Sequence, residues 1–220
     1  MRFLTGVKFL ENLYFENNKV TVVGEVCSEF TFSHAVYSES FYIFKLKIPR
    51  MSENSDIINI TVSERFFADN IPIIGQLLKI DGQFRSYNNY SESGNRLILT
   101  VFAKEIEVLD EMIEYCNPNQ IYLCGYICKP PVYRTTPFQR EITDMLLAVN
   151  RLYNKSDYIP CIAWGRNAKY AEHFEVGTRL KIWGRIQSRD YQKKLSDDNI
   201  VTKTAFEVSV SKMEVNNSNE

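Results

Sequence analysis

Apolar and polar positions alternate with a period of two through much of this 220-residue chain. FYIFKLKI (41–48), LLKIDGQF (77–84) and RLKIWGRI (179–186) each place every second residue on one apolar face, as half-buried strands do. VTVVGEV (20–26) and IYLCGYI (121–127) are short, rich in β-branched or aromatic residues, and interrupted by one glycine. A glycine inside a strand marks a bulge, a tight bend or a close approach of another backbone. Two short stretches, SERFFADNI (63–71) and NAKYAEHF (167–174), carry helix-forming residues instead.

These segments repeat. Gly24 in VTVVGEV matches Gly125 in IYLCGYI, and Arg50 matches Arg151, each at the end of a long strand. DIINITVSER (56–65) matches DYIPCIAWGR (157–166), so all these pairs lie 101 residues apart. GQLLKIDGQFRSY, from Gly75, matches GTRLKIWGRIQSR, from Gly177, at an offset of 102. The period is that of a whole domain, not of a solenoid unit. The turn-rich Asn117, Pro118 and Asn119 place the link between a first domain over 1–115 and a second over 116–220. In each copy three strands, one short helix and two further strands occupy about 100 residues with bend glycines. That order predicts an all-β chain of two tandem OB-folds, five-stranded Greek-key barrels with one short helix between strands three and four.

Charge changes the picture more than composition does. The chain as a whole has a formal net charge of −1. Residues 1–115 hold 11 Lys and Arg against 16 Asp and Glu, whereas residues 116–220 hold 15 against 11. The second domain therefore attracts polyanions and the first repels them on average. No apolar run is long enough to cross a bilayer, and the N-terminal residues are too polar for a signal-peptide core. Five cysteines, an odd number, point to reduced thiols in a cytoplasm. Cys124 and Cys128 share a strand face, but only His34 and His173 are at hand to complete a metal site, so no metal or cofactor is expected.

The second copy resembles the bacterial single-stranded-DNA-binding protein family over about residues 119–215. The resemblance rests on GYICKPPVYRTTPFQREITDMLLAVNR, then DYIPCIAWGRNAKYAEHF, then VGTRLKIWGRIQSRDYQ, in this order and spacing. The first copy resembles the family only through the repeat. The resemblance implies that aromatic side chains on one barrel face stack on bases. Carried over residue by residue, those positions are Tyr153, Tyr158, Trp164 and Tyr191, all aromatic here. Stacking suits a binder without sequence preference, because every base has a π-face, while cations hold the phosphates. Arg134, Arg151, Lys155, Arg166, Arg185, Arg189, Lys193 and Lys194 lie in or beside the segments carrying those rings. Read singly, a tyrosine in a strand is more often a packing residue than a ligand contact. Lys193 and Lys194 could equally be a solvated loop tip, and Trp183 is not assigned to either face.

At the aligned positions the first copy has Ser63 for Trp164 and Ile57 for Tyr158, while Tyr87 and Tyr90 lie only near the place of Tyr191. It is therefore expected to be degenerate and to serve assembly, with the second barrel carrying single-stranded DNA. Barrels of this family work in fours, which implies a homodimer of this two-barrel chain, in the bacterial cytoplasm and associated with the nucleoid. The acidic C-terminal tip that recruits partner enzymes in many members has no counterpart in SKMEVNNSNE. The expected function is to coat and protect single strands in replication, recombination or repair. A scaffold or adaptor that binds proteins is the alternative. An enzyme is not expected: Asp157, Asp190, Asp197 and Asp198 show no motif spacing, and no nucleophile or base accompanies them.

Overall fold

A computed structural model describes residues 16–50, 52–67, 71–91, 94–111, 117–196 and 199–216, with only the backbone described within 88–96 and 190–203. The first repeat supplies β1 (Asn18–Val26), β2 (Thr31–Val36), β3 (Glu39–Pro49), β4 (Ser55–Ser63), β5 (Leu77–Ser91) and β6 (Gly94–Leu109). The second supplies β7 (Asn119–Ile127), β8 (Val132–Thr135), β9 (Glu141–Arg151), β10 (Lys155–Trp164), β11 (Arg179–Ser196) and β12 (Asn199–Val215). In each repeat the pairing returns on itself. β1 pairs with β3 as well as β5, and β7 pairs with β9 as well as β11, which closes two five-stranded barrels. The short strands β2 and β8 are additions at the outer edges of β3 and β9. An α-helix, α1 (Arg166–Ala171), follows β10, but its counterpart after β4 is a four-residue 3-10 turn, Glu64–Phe67. The expected short helix of the first copy is thus a single tight turn over its described residues.

The bend glycines do what their strand context predicts. A Cβ on Gly24 would lie 2.4 Å from the Lys47 carbonyl oxygen, and one on Gly125 would lie 2.5 Å from that of Ala148. Gly82 and Gly184 stand at bulges in the two long hairpins, where a Cβ would come within 2.2 Å of the carbonyl oxygens of Phe102 and Ser209. Each barrel closes because its strands bend at points where no side chain fits.

The barrels are joined edge to edge. β1 and β7 pair antiparallel, with Val20 opposite Ile121 and Asn18 opposite Leu123. Val20 and Ile121 are repeat equivalents, so a local pseudo-twofold axis passes between them. Two buried asparagines repeat the symmetry. The Asn18 carboxamide accepts from the Phe84 N–H at 2.9 Å and donates to the Phe84 carbonyl at 2.8 Å. Asn119 does the same with Ile186, at 2.9 and 2.7 Å. Each carboxamide stands in for a backbone partner and satisfies groups that burial would otherwise leave unpaired. The apolar core, from Phe44, Leu46 and Ile60 in one barrel to Leu147, Ile159 and Val208 in the other, forms one cluster across this seam.

Candidate nucleic-acid interface

The alternation of β10 sets the candidate surface. Asp157, Ile159, Cys161 and Ala163 face the interior and are buried. Tyr158, Pro160 and Trp164 lie on the opposite face, where Ile162 between them is covered and buried. Tyr158 and Trp164, six residues apart, are separated by about 20 Å along the strand. Tyr158 is about half exposed and Trp164 is half-buried. Tyr153 sits in the β9–β10 turn with φ of 61°, next to Asn154 at 55°, and is 87% exposed. Two left-handed residues turn the chain within three positions and leave the Tyr153 ring clear of the barrel.

Trp164 is held at its polar edge, its indole N–H donating to Ser209 Oγ at 3.1 Å. Its ring borders a groove of about 510 Å³ shared with Thr135, Gln139, Arg140 and Glu141. Glu141 does not cancel the cation there. Lys169, at 2.9 Å, and the Tyr133 hydroxyl, at 2.8 Å, both donate to it, and their hydrogen bonds hold its carboxyl below the ordinary range. Arg140 is exposed on the β8–β9 turn. Sequence reasoning passed over Arg140, because its value comes from lying beside Trp164, 24 positions later. Phe138, on the same turn, is 86% exposed.

The structure gives three of the expected phosphate-contacting arginines other partners. Arg134 donates to Asp144 at 2.6 and 3.3 Å, which raises its pKa further. Arg185 donates to Asp56 of the first barrel at 2.9 Å, and Arg151 lies 3.5 Å from Asp157. Lys155, Arg166 and Arg189 are exposed on the second barrel, with Arg189 only loosely placed, 3.9 Å from Glu207. The side chains of Tyr191, Lys193 and Lys194 lie outside the described residues. Trp183 packs against Tyr122 at 5.2 Å between ring centroids, with Lys212 above it, away from the Trp164 groove residues.

The first barrel is richer in rings on its equivalent face than the repeat suggested. Ser63, at the Trp164 position, is buried and its hydroxyl donates to Glu39. The rings come from elsewhere. His34 stacks on Phe41 at 5.0 Å, and Phe41 packs against Phe102 at 5.6 Å. The Arg85 guanidinium lies 3.8 Å from the Phe102 centroid, a cation–π contact. His34, Phe102, Tyr87, Arg85 and, from the second barrel, Arg151 line a cavity of about 530 Å³.

Among the described residues no three or more His, Cys, Asp or Glu come together as a metal site would require. None of the described helices is long and apolar enough to cross a membrane.

Residues 118–216 match the Single-strand binding protein family. A single-stranded DNA-binding protein of Clostridium tetani is 35% identical over 83 residues, which are 34% of this chain and 57% of that protein. Single-stranded DNA-binding protein 1 of Staphylococcus aureus is 32% identical over 83 residues, half of its length. This chain thus spans about half the length of these two relatives. Single-stranded DNA-binding protein 1 of Streptococcus pyogenes is 30% identical over 96 residues, 40% of this chain and 74% of that protein. In three dimensions the chain is similar to the wild-type single-stranded DNA binding protein from Thermus aquaticus. The TM-score is 0.69 over 92% of this chain and 94% of that one, at 17% identity, which shows a shared fold.

Proposed function

This chain belongs to the Single-strand binding protein family, and from that premise we propose that it binds single-stranded DNA without strong sequence preference and catalyses no reaction. The observation that carries the reading is the outward row on β10, where Tyr158 and Trp164 stand on one strand face. Exposed Tyr153 prolongs it at one end and the Trp164–Arg140 groove at the other. Rings at this spacing offer flat platforms to bases several nucleotides apart on one strand, and Arg140, Lys155, Arg166 and Arg189 offer cations to the phosphates between them. Stacking contributes about 1–3 kcal/mol per base in such sites, and phosphate contacts make the affinity fall with salt.

On this reading the protein coats and protects single strands exposed in replication, recombination or repair in a bacterial cytoplasm. Two barrels per chain would reach four in a homodimer, which a mass measurement in solution tests directly. The function is tested by titrating oligo(dT), oligo(rU) and duplex DNA at two salt concentrations while following tryptophan fluorescence. The expected result is quenching by oligo(dT), an affinity that falls steeply with salt, and little response to duplex. Equal binding of duplex and single strand, or binding indifferent to salt, would overturn it.

A further inference from the structure

Where the barrels meet, each sends one aspartate to the other, and the two clasps differ. In the first clasp Asp56 Oδ1 accepts from the Ser188 N–H at 2.9 Å. Its Oδ2 accepts from Arg50 Nε at 2.8 Å and Arg185 Nη1 at 2.9 Å, and a second Arg50 nitrogen bonds Oδ1. Both oxygens of this carboxylate are engaged. In the second clasp Asp157 Oδ1 accepts from the Ser86 N–H at 2.8 Å, but the buried Oδ2 accepts no hydrogen bond among the described residues. The buried Arg85 Nε also lacks a partner among the described residues. Arg151 approaches Asp157 only to 3.5 Å.

Repeat geometry explains the difference. GQFRS (82–86) aligns with GRIQS (184–188), so the arginine and the glutamine have exchanged places on the two strands. Arg185 therefore points at Asp56, whereas Arg85 lies on Phe102 and bonds Gln83 at 2.9 Å. Burial and the neighbouring Arg151 push the Arg85 pKa down to about 10, which still leaves it charged at neutral pH. One clasp is saturated. The other holds two guanidiniums, a buried N–H without a partner and a cavity of nucleotide dimensions.

We infer that this junction cavity is a phosphodiester subsite built from both barrels, with Arg85 of the first and Arg151 of the second receiving one backbone phosphate of the single strand. This assignment rests on the single-strand reading of the previous section. A guanidinium fork matches the two free oxygens of a phosphodiester. The Tyr87 and Phe102 rings beside it suit the attached nucleoside. The subsite adjoins the stacking row, because Ser86, which lines the cavity, accepts from the Tyr158 N–H at 2.7 Å through its hydroxyl. The strand thus passes from Tyr158 across the seam onto the first barrel, and the acidic first domain is part of the path.

The test uses the full chain. The side-chain Nε–H resonances of Arg85 and Arg151 are recorded by 15N NMR during titration with dT20, with tryptophan fluorescence followed in parallel. Both resonances are expected to shift as fluorescence is quenched. Arg151→Gln is expected to lower the slope of log affinity against log salt by about 0.7, the value for one phosphate contact on a single strand. Quenching without movement of either resonance would overturn the subsite and leave single-strand binding intact. Neither quenching nor movement would overturn both. A titration with inorganic phosphate distinguishes a strand contact from a free-anion site. Equal shifts at equal concentrations of phosphate groups would overturn the assignment to the strand.

Discussion

The two barrels share one backbone plan and populate the same face by different means. In the second barrel the rings follow a single strand, with Tyr158 and Trp164 on β10 and Tyr153 at the turn before it. In the first they converge from His34 on β2, Phe41 on β3 and Phe102 on β6, while Ser63 at the tryptophan position is buried against Glu39. A repeat can thus carry Ser63 and Ile57 where its twin has Trp164 and Tyr158 and still gather rings, His34, Phe41 and Phe102, on the corresponding face. Degeneracy in an alignment describes positions, whereas a ligand meets a surface. The same lesson applies at the seam, where an Arg–Gln exchange within one five-residue motif leaves one clasp closed and its twin open.

The comparison can be broken most forcefully at the clasps. Asp56→Ala leaves Arg50, Arg185 and the Ser188 N–H without their acceptor, and should cost about 3–5 kcal/mol of stability in denaturant unfolding. Asp157→Ala strands chiefly the Ser86 N–H and should cost about 1–3 kcal/mol. The reverse order would show that the clasps had been ranked wrongly.

Next in size is the pair of ring deletions. Trp164→Ala should weaken binding of both short and long oligo(dT) by about 1–3 kcal/mol. Phe102→Ala should weaken only strands long enough to cross the seam. An unchanged affinity for long strands would return the first barrel to a purely architectural role.

A smaller effect separates the clasps by pH. Burial raises the Asp157 carboxyl above its ordinary value of 3.8, outweighing the Ser86 hydrogen bond and the nearby Arg151 and Arg85. The native state therefore holds this proton at a pH where the unfolded chain has released it. The corresponding stability is present below about pH 4 and is lost as pH rises through the raised value, by at most about 1.4 kcal/mol per pH unit. Asp157→Asn should remove this dependence from the difference between wild-type and variant unfolding curves. A difference independent of pH would count against the assignment. The smallest expected effects are those of Lys155→Ala and Arg166→Ala, each lowering the salt slope by about 0.7 without altering stability.

Much of the fold was legible because barrel strands write a period of two and their bends demand glycine. Gly24, Gly125, Gly82 and Gly184 each face a carbonyl oxygen that excludes a Cβ, and a local pattern suffices to expect such a contact. Tyr158 and Trp164 were singled out by the family resemblance rather than by periodicity, because DYIPCIAW (157–164) carries apolar residues on both strand faces. The partners of the arginines were not. Arg50 and Arg151 were visible as repeat equivalents, but a sequence does not say whether a guanidinium at a strand end meets phosphate or a carboxylate from another domain. Arg140 was missed for want of a local signal, since the Trp164 groove joins a turn to the end of a distant strand.

The sequence by itself determined two closed barrels and their bend points, because each depends on periodicity and steric exclusion within a few residues. The antiparallel seam of β1 against β7, the pairing of each aspartate with the opposite barrel and the convergence of His34, Phe41 and Phe102 were decided only in the tertiary structure. Each of these requires groups far apart in the chain to share a low-dielectric contact, and which of them meet is set by the packing of whole strands rather than by local preference.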